Sequence, residues 1–126
     1  MEELKIVKKF MDDREFRNYV HTMFYKNNFK YIRLDDSRVS DEYPENDNDI
    51  KVTKDGKKYT VQTYRNGIIR SKRIQETLDD MKKEKLEHGI IVTNYNVCKK
   101  TKSAAKKLNI EIYDRQKFEK GVYNWE

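Results

Sequence analysis

Cysteine is nearly absent: Cys98 is the single example, so no internal disulfide can staple the fold. No His–Cys spacing accompanies it, which excludes a zinc-ligand pattern. It has no base partner in the sequence and reads as inert. Proline occurs once, at Pro44, and glycine four times, too few to build a glycine-rich phosphate loop. No apolar run is long enough to span a bilayer, and no signal-peptide pattern is visible. The expectation is a cytoplasmic protein with no membrane partner. Apolar residues are themselves scarce, 36% against 40% charged, so the core must be thin.

What is present offsets that thinness. Nine Tyr, five Phe and one Trp bring large buried area per residue, which argues against disorder. The 126 residues suit one domain, expected over 13–126 after an N-terminal extension or short helix at 1–12. Lys and Arg number 28 against 22 Asp and Glu, a net charge of +6. That balance permits association with a polyanion without proving it.

Along the chain, Phe16, Tyr19, Val20, Met23 and Phe24 recur at helical spacing and predict a helix from about Asp13 to Asn27. Asp12 or Asp13 can cap it. Leu4, Val7 and Met11 suggest a short helix before it. Phe29 to Leu34 reads as a strand. Asp35 to Asn48, polar and holding Pro44, reads as a long surface loop. Two runs of β-formers, from Asp49 and from Lys58 to Tyr64, flank Asp55-Gly56, a strong hairpin signal. Ile74, Leu78, Met81 and Leu86 mark the inner face of a helix from Ser71, the expected N-cap, to Glu87, with Gly89 as the stop. Gly89 to Thr93 is an apolar run that fits a strand covered on both faces. Lys100 to Leu108 predicts a third helix with Ala104, Ala105 and Leu108 inward. Ile110 to Tyr113 is a last strand and Arg115 to Lys120 a closing helix. The order α-β-β-β-α-β-α-β implies an α/β fold: a mixed central sheet, its last strands parallel, with helices on both faces.

This order, with Asn48-Asp49-Ile50-Lys51-Val52 and Tyr59-Thr60-Val61-Gln62-Thr63-Tyr64-Arg65, resembles the Mrr-type branch of the PD-(D/E)XK nucleases. The Gly89-Ile-Ile-Val-Thr93 and Ala104-Ala-Lys-Lys-Leu-Asn-Ile110 segments are similar in wording, and the similarity runs from about Asp13 to Lys120. It implies a restriction-endonuclease-like fold and a DNA endonuclease using Mg²⁺ or Mn²⁺. Asp49 matches the family's metal-binding Asp and Gln62 its acidic-or-amide position. Where the family pattern has Lys, this chain has Tyr64. The family often places a Glu after the aromatic of the first helix; here Arg17 follows Phe16, and Glu15 precedes it, as the candidate third ligand. Such a site is degenerate. The alternative is a nuclease-fold protein that no longer cuts and binds DNA or a partner protein. Small nucleases of this size often pair, so a homodimer is a further expectation.

Phosphodiester hydrolysis needs a polarised phosphate, an activated water and positive charge near the reacting group. Asp and an amide oxygen suit Mg²⁺. Period-two geometry puts Gln62 and Tyr64 on one strand face and Asp49 and Lys51 on one face of the neighbouring strand. Lys51 is therefore the candidate to supply the missing ammonium, while Tyr64 can hydrogen-bond but carries no charge. Arg65 alternates to the other face. Against this, Glu15 also reads as a first-turn dipole partner, Lys51 as an edge lysine, His21 as a surface residue and His88 as a helix-closing one. Arg65, Arg70, Lys72 and Arg73 around the second helix start, and Lys99, Lys100 and Lys102 around the third, are the candidate phosphate contacts.

Overall fold

The computed structural model describes residues 12–32, 39–40 and 50–117. Helix α1 (Asp13–Lys26) opens with a capping box. Glu15 N donates to Asp12 Oδ1 at 2.8 Å, and Asp12 N donates to Glu15 Oε1 at 3.3 Å. Phe16, Val20, Met23 and Phe24 are buried along its stripe, and Tyr19 packs beside them. Asn27 closes the helix, its side chain donating to Met23 O at 2.7 Å. The expected leading helix lies outside the described residues.

Strands β1 (Lys30–Ile32) and β2 (Val39–Ser40) pair antiparallel. β2 falls inside the stretch expected to be all loop. Two residues are too few for an alternating pattern to show, and both are exposed, so no hydrophobic signal marked them. Strands β3 (Ile50–Lys54) and β4 (Lys57–Tyr64) form the expected hairpin. Asp55 at φ 53° and Gly56 at φ 81° both occupy the left-handed region, as a tight two-residue hairpin turn requires.

Helix α2 (Ser71–Glu84), strand β5 (His88–Thr93), helix α3 (Lys99–Lys106) and strand β6 (Ile110–Tyr113) complete the order. The sheet reads β2-β1-β3-β4-β5-β6. β1–β3 and β3–β4 are antiparallel, whereas β4–β5 and β5–β6 are parallel. The mixed α/β sheet is thus as the sequence implied. Residues 115–117 form the start of the closing helix; the rest of that expectation lies outside the described residues.

Several local expectations are corrected. Arg70, not Ser71, is the N-cap of α2, and it makes no side-chain cap bond. The helix stops at Lys85, which turns left-handed at φ 58° while Leu86 N donates to Met81 O at 2.8 Å. Gly89 lies within β5 instead, under α2, where a Cβ would meet Thr77 Cγ2 at 2.9 Å and Met81 Sδ at 3.0 Å. The glycine sets how closely helix and strand approach. His88 begins β5 and rests 5.4 Å from the Tyr59 ring. His21 is half-buried, with Nδ1 2.9 Å from the Tyr31 hydroxyl. In α3 only Ala105 is buried among the three expected inward residues; Ala104 and Leu108 are exposed.

The core divides by sheet face. On one side α1 packs on Ile50, Val52, Tyr59, Val61, Ile90 and Val92. On the other, Ile74 and Met81 of α2 and Ala105 of α3 pack on Ile91 and Ile110. Successive strand residues point to opposite faces, so the first cluster takes one parity of each strand and leaves the other parity to the α2 side.

Candidate functional site

On β3 and β4 the α2 side is polar. Lys51 pairs with Thr60 in the hairpin ladder, so the two share a face, and Gln62 and Tyr64 follow Thr60 on it. Helix α2 answers with a polar stripe. Arg73, Glu76 and Asp80 recur at intervals of three and four residues and lie on one flank, beside the buried Ile74, Thr77 and Met81. Asp80 meets the inner end of the strands: its Oδ2 lies 3.6 Å from Lys51 Nζ and accepts from the Thr60 hydroxyl. Glu76 and Arg73 meet the outer end at Tyr64.

Tyr64 is the hub. Its hydroxyl lies 3.2 Å from Gln62 Oε1 and 3.4 Å from Glu76 Oε1. The Arg73 guanidinium carbon stands 4.5 Å above its ring centroid, and Arg73 Nη1 donates to Glu76 Oε1 at 3.0 Å. Burial pushes the Tyr64 phenol above its ordinary value, and the neighbouring Glu76 carboxylate pushes it further, against the pull of Arg73. The phenol therefore stays neutral near neutral pH. The hydrogen bond to Glu76 raises the Arg73 guanidinium above its ordinary value, so it stays charged.

An amide oxygen and a carboxylate oxygen thus converge on one hydroxyl. All are hard oxygen donors, a set that fits Mg²⁺ or Mn²⁺, which bind through few protein ligands and retain waters. Among the described residues no group of three or more His, Cys, Asp and Glu gathers that could hold a metal; at this end of β4 Glu76 is the carboxylate in reach. Asp49, the expected metal-binding carboxylate, immediately precedes β3 and lies outside the described residues.

The other expected site residues fall as follows. Lys51 shares the face of Gln62 and Tyr64, but its side chain is 4% exposed and engaged by Asp80. Glu15 is half-buried within the α1 capping box, and α1 covers the opposite face of the sheet. Arg65 is exposed in the turn after β4. Asp80 and Glu76 were not singled out in the sequence. Their signal was there: with Arg73 they make a charged stripe bordering an apolar one, a pattern easily read as a solvated helix flank.

The carboxyl ends of the parallel strands are tied together by their loops. Asn66 N donates to Asn94 Oδ1 at 2.7 Å, Asn94 Nδ2 returns to Asn66 Oδ1 at 2.9 Å, and the Thr93 hydroxyl donates to Gly67 O at 3.0 Å. This brings the starts of α2 and α3 to one edge, the usual ligand edge of an open α/β sheet. Neither helix start has a side-chain cap or an acidic first-turn residue. Arg70, Lys72 and Arg73 stand at one and Lys99 and Lys100 at the other, all exposed. Lys102 is held by the buried Asp114 at 2.6 Å and acts first as a tether. Beside it opens a cleft of about 480 Å³, lined in part by Val97, Cys98, Lys99 and Arg115. Cys98 is exposed, and its bond with Thr101 at 3.2 Å draws the thiol below its ordinary value.

Among the described residues no helix is long and apolar enough to cross a membrane. No curated protein matches the sequence significantly. The family model for the Mrr-type restriction endonuclease domain matches residues 8–121, nearly the whole chain and every element of the sheet described above. The chain belongs to the Mrr-type restriction endonuclease family.

Proposed function

We propose that this protein is a DNA endonuclease dependent on Mg²⁺ or Mn²⁺, with its reaction centre at the Gln62–Tyr64 end of β4. The observation that carries the reading is the convergence of the Gln62 amide oxygen and the Glu76 carboxylate on the Tyr64 hydroxyl, in a chain of this family. Gln62 and Asp49, with Glu76 alongside, would hold the cation. A bound divalent cation supplies polarisation of the phosphate and acidification of water. In the reaction a water oxygen bonds to phosphorus, one P–O ester bond breaks, and its electron pair leaves on the departing oxygen. That oxygen takes up a proton, and the attacking water gives one to solvent.

The chain's own residues bind and orient. Arg70, Lys72, Lys99 and Lys100 flank the edge as phosphate contacts, reinforced by the positive ends of α2 and α3, with Arg65 and Lys102 at the margins. Such contacts position a duplex without reading its sequence. The neutral Tyr64 hydroxyl can donate to a phosphate oxygen or a water. Glu15, the remaining expected ligand, is assigned to capping. A homodimer presenting two such edges is compatible with cutting both strands.

A second reading has its own support. Position 64 carries no charge, and Lys51 is committed to Asp80; a nuclease fold that binds DNA or a protein without cutting fits both facts. Incubation of supercoiled plasmid with the protein and Mg²⁺ or Mn²⁺ separates the two. Nicking by the wild type that disappears in Asp49→Ala and Gln62→Ala supports the enzyme. Salt-sensitive DNA binding without any nicking supports the binding-only protein.

A further inference from the structure

We propose that the positive charge needed beside the reacting phosphate is supplied by Arg73, held on the Tyr64 ring, and not by a lysine of the strands. The inference rests on the nuclease reading and deepens it by naming one group and how it is held. Negative charge grows on the phosphate as water adds, and a fixed cation at that point lowers the barrier. Among the described residues Lys51 and Arg73 are the cations in contact with the polar groups of β3 and β4, and their surroundings differ. The Lys51 side chain is 4% exposed, and its ammonium faces an Asp80 carboxylate already bonded to Thr60. Drawing it out to a phosphate would strand a largely buried carboxylate, which is costly.

Arg73 is placed to act. Its side chain is 44% exposed and lies in the first turn of α2, where the helix dipole adds to its charge. Glu76 engages Nη1; a guanidinium has five N–H donors in a planar fork that matches two phosphate oxygens. The Tyr64 ring, its centroid 4.5 Å from the guanidinium carbon, restrains that fork without neutralising it. The same ring points its hydroxyl at Gln62, so one side chain links the cation to the oxygen ligands. Tyrosine at position 64 is therefore a shelf: it holds a neighbouring residue's charge where it has none of its own.

The test is single-turnover nicking with Mn²⁺, read beside duplex affinity. Arg73→Ala is expected to slow cutting about 10²-fold, with affinity falling less than about tenfold because one phosphate contact among several is lost. Tyr64→Leu, which removes the shelf and keeps the arginine, is expected to slow it comparably. Tyr64→Lys placed in Arg73→Ala is expected to recover most of the rate. Arg73→Ala cutting at the wild-type rate overturns the proposal, as does Tyr64→Lys giving no rescue. Wild-type protein that never cuts sinks the nuclease reading but leaves Arg73 open to a separate measurement. Titration with a short duplex is expected to shift the Tyr64 ring signals in NMR more for wild type than for Arg73→Ala, both read at saturation. Equal shifts in both would also overturn the assignment.

Discussion

The two faces of the β3–β4 hairpin are made from alternate residues of the same strands, yet they do opposite work. Toward α1 stand Ile50, Val52, Tyr59 and Val61, packed into an apolar cluster. Toward α2 stand Lys51, Thr60, Gln62 and Tyr64, met by Asp80, Glu76 and Arg73. Burying polar groups is tolerable on the second face because the helix partners Lys51, Thr60 and Tyr64, and Tyr64 in turn partners Gln62. Within the hairpin the apolar packing is concentrated on one side, and the other holds the polar and charged groups. The helix starts repeat the lesson: α1 has a full capping box and carboxylates in its first turn, whereas α2 and α3 have neither and present cations. Cations at a helix N-terminus oppose the dipole, a cost that an anionic ligand would reverse.

The comparison breaks most readily at its apolar side. Ile90→Ala removes a fully buried side chain from the α1 face and should cost about 3 kcal/mol in urea unfolding, without altering which divalent cation, if any, supports cutting. A loss under about 1 kcal/mol would show that this face does not carry the fold. On the polar side, Lys51→Met leaves Asp80 and Thr60 facing a methyl group. Breaking a buried pair costs about 3–5 kcal/mol, and the 23% exposure of Asp80 reduces this to about 2 kcal/mol. Adding Asp80→Leu should restore all but about 1 kcal/mol. A double variant as unstable as the single one would mean that the pair contributes more than mutual compensation.

Smaller effects sharpen the contrast. Burial holds the phenols of Tyr59, Tyr64 and Tyr113 above their ordinary value of 10.0. Below pH 10 these tyrosines are protonated in both states and cost nothing. Above it the unfolded chain releases protons that the folded one retains, so stability should fall as pH rises through that range. Thermal melts from pH 8 to 11 check this; an unchanged melting temperature would contradict it. Glu76→Gln should be the mildest change. The Arg73–Glu76 pair is largely exposed, so stability should shift by less than about 0.5 kcal/mol. The phenol of Tyr64, relieved of a neighbouring carboxylate, should titrate closer to its ordinary value in absorbance. An upward movement would refute the placement of Glu76.

Much of the fold is legible because its signals are local. Asp12 and Glu15 announce the cap, Asp55-Gly56 the hairpin, and Ile110 to Tyr113 the last strand. Errors came where a partner outside the segment decided the outcome. Gly89 looked like a helix stop, but its missing side chain accommodates Thr77 and Met81. His88 looked like a helix end and proved to start a strand beside Tyr59. In the site, period-two spacing put Lys51 with Gln62 and Tyr64 on one face. It was silent on Asp80, which occupies Lys51, and on Arg73, which occupies Tyr64.

The sequence by itself therefore determined the order of the main elements, the hairpin register and which side chains share a strand face, since turn chemistry and backbone periodicity act over a few residues. The tertiary structure alone decided which of the chain's many cations meets which strand position. That depends on how α2 lies across β3 and β4, and the packing of one layer on another has no expression in the spacing of residues along either.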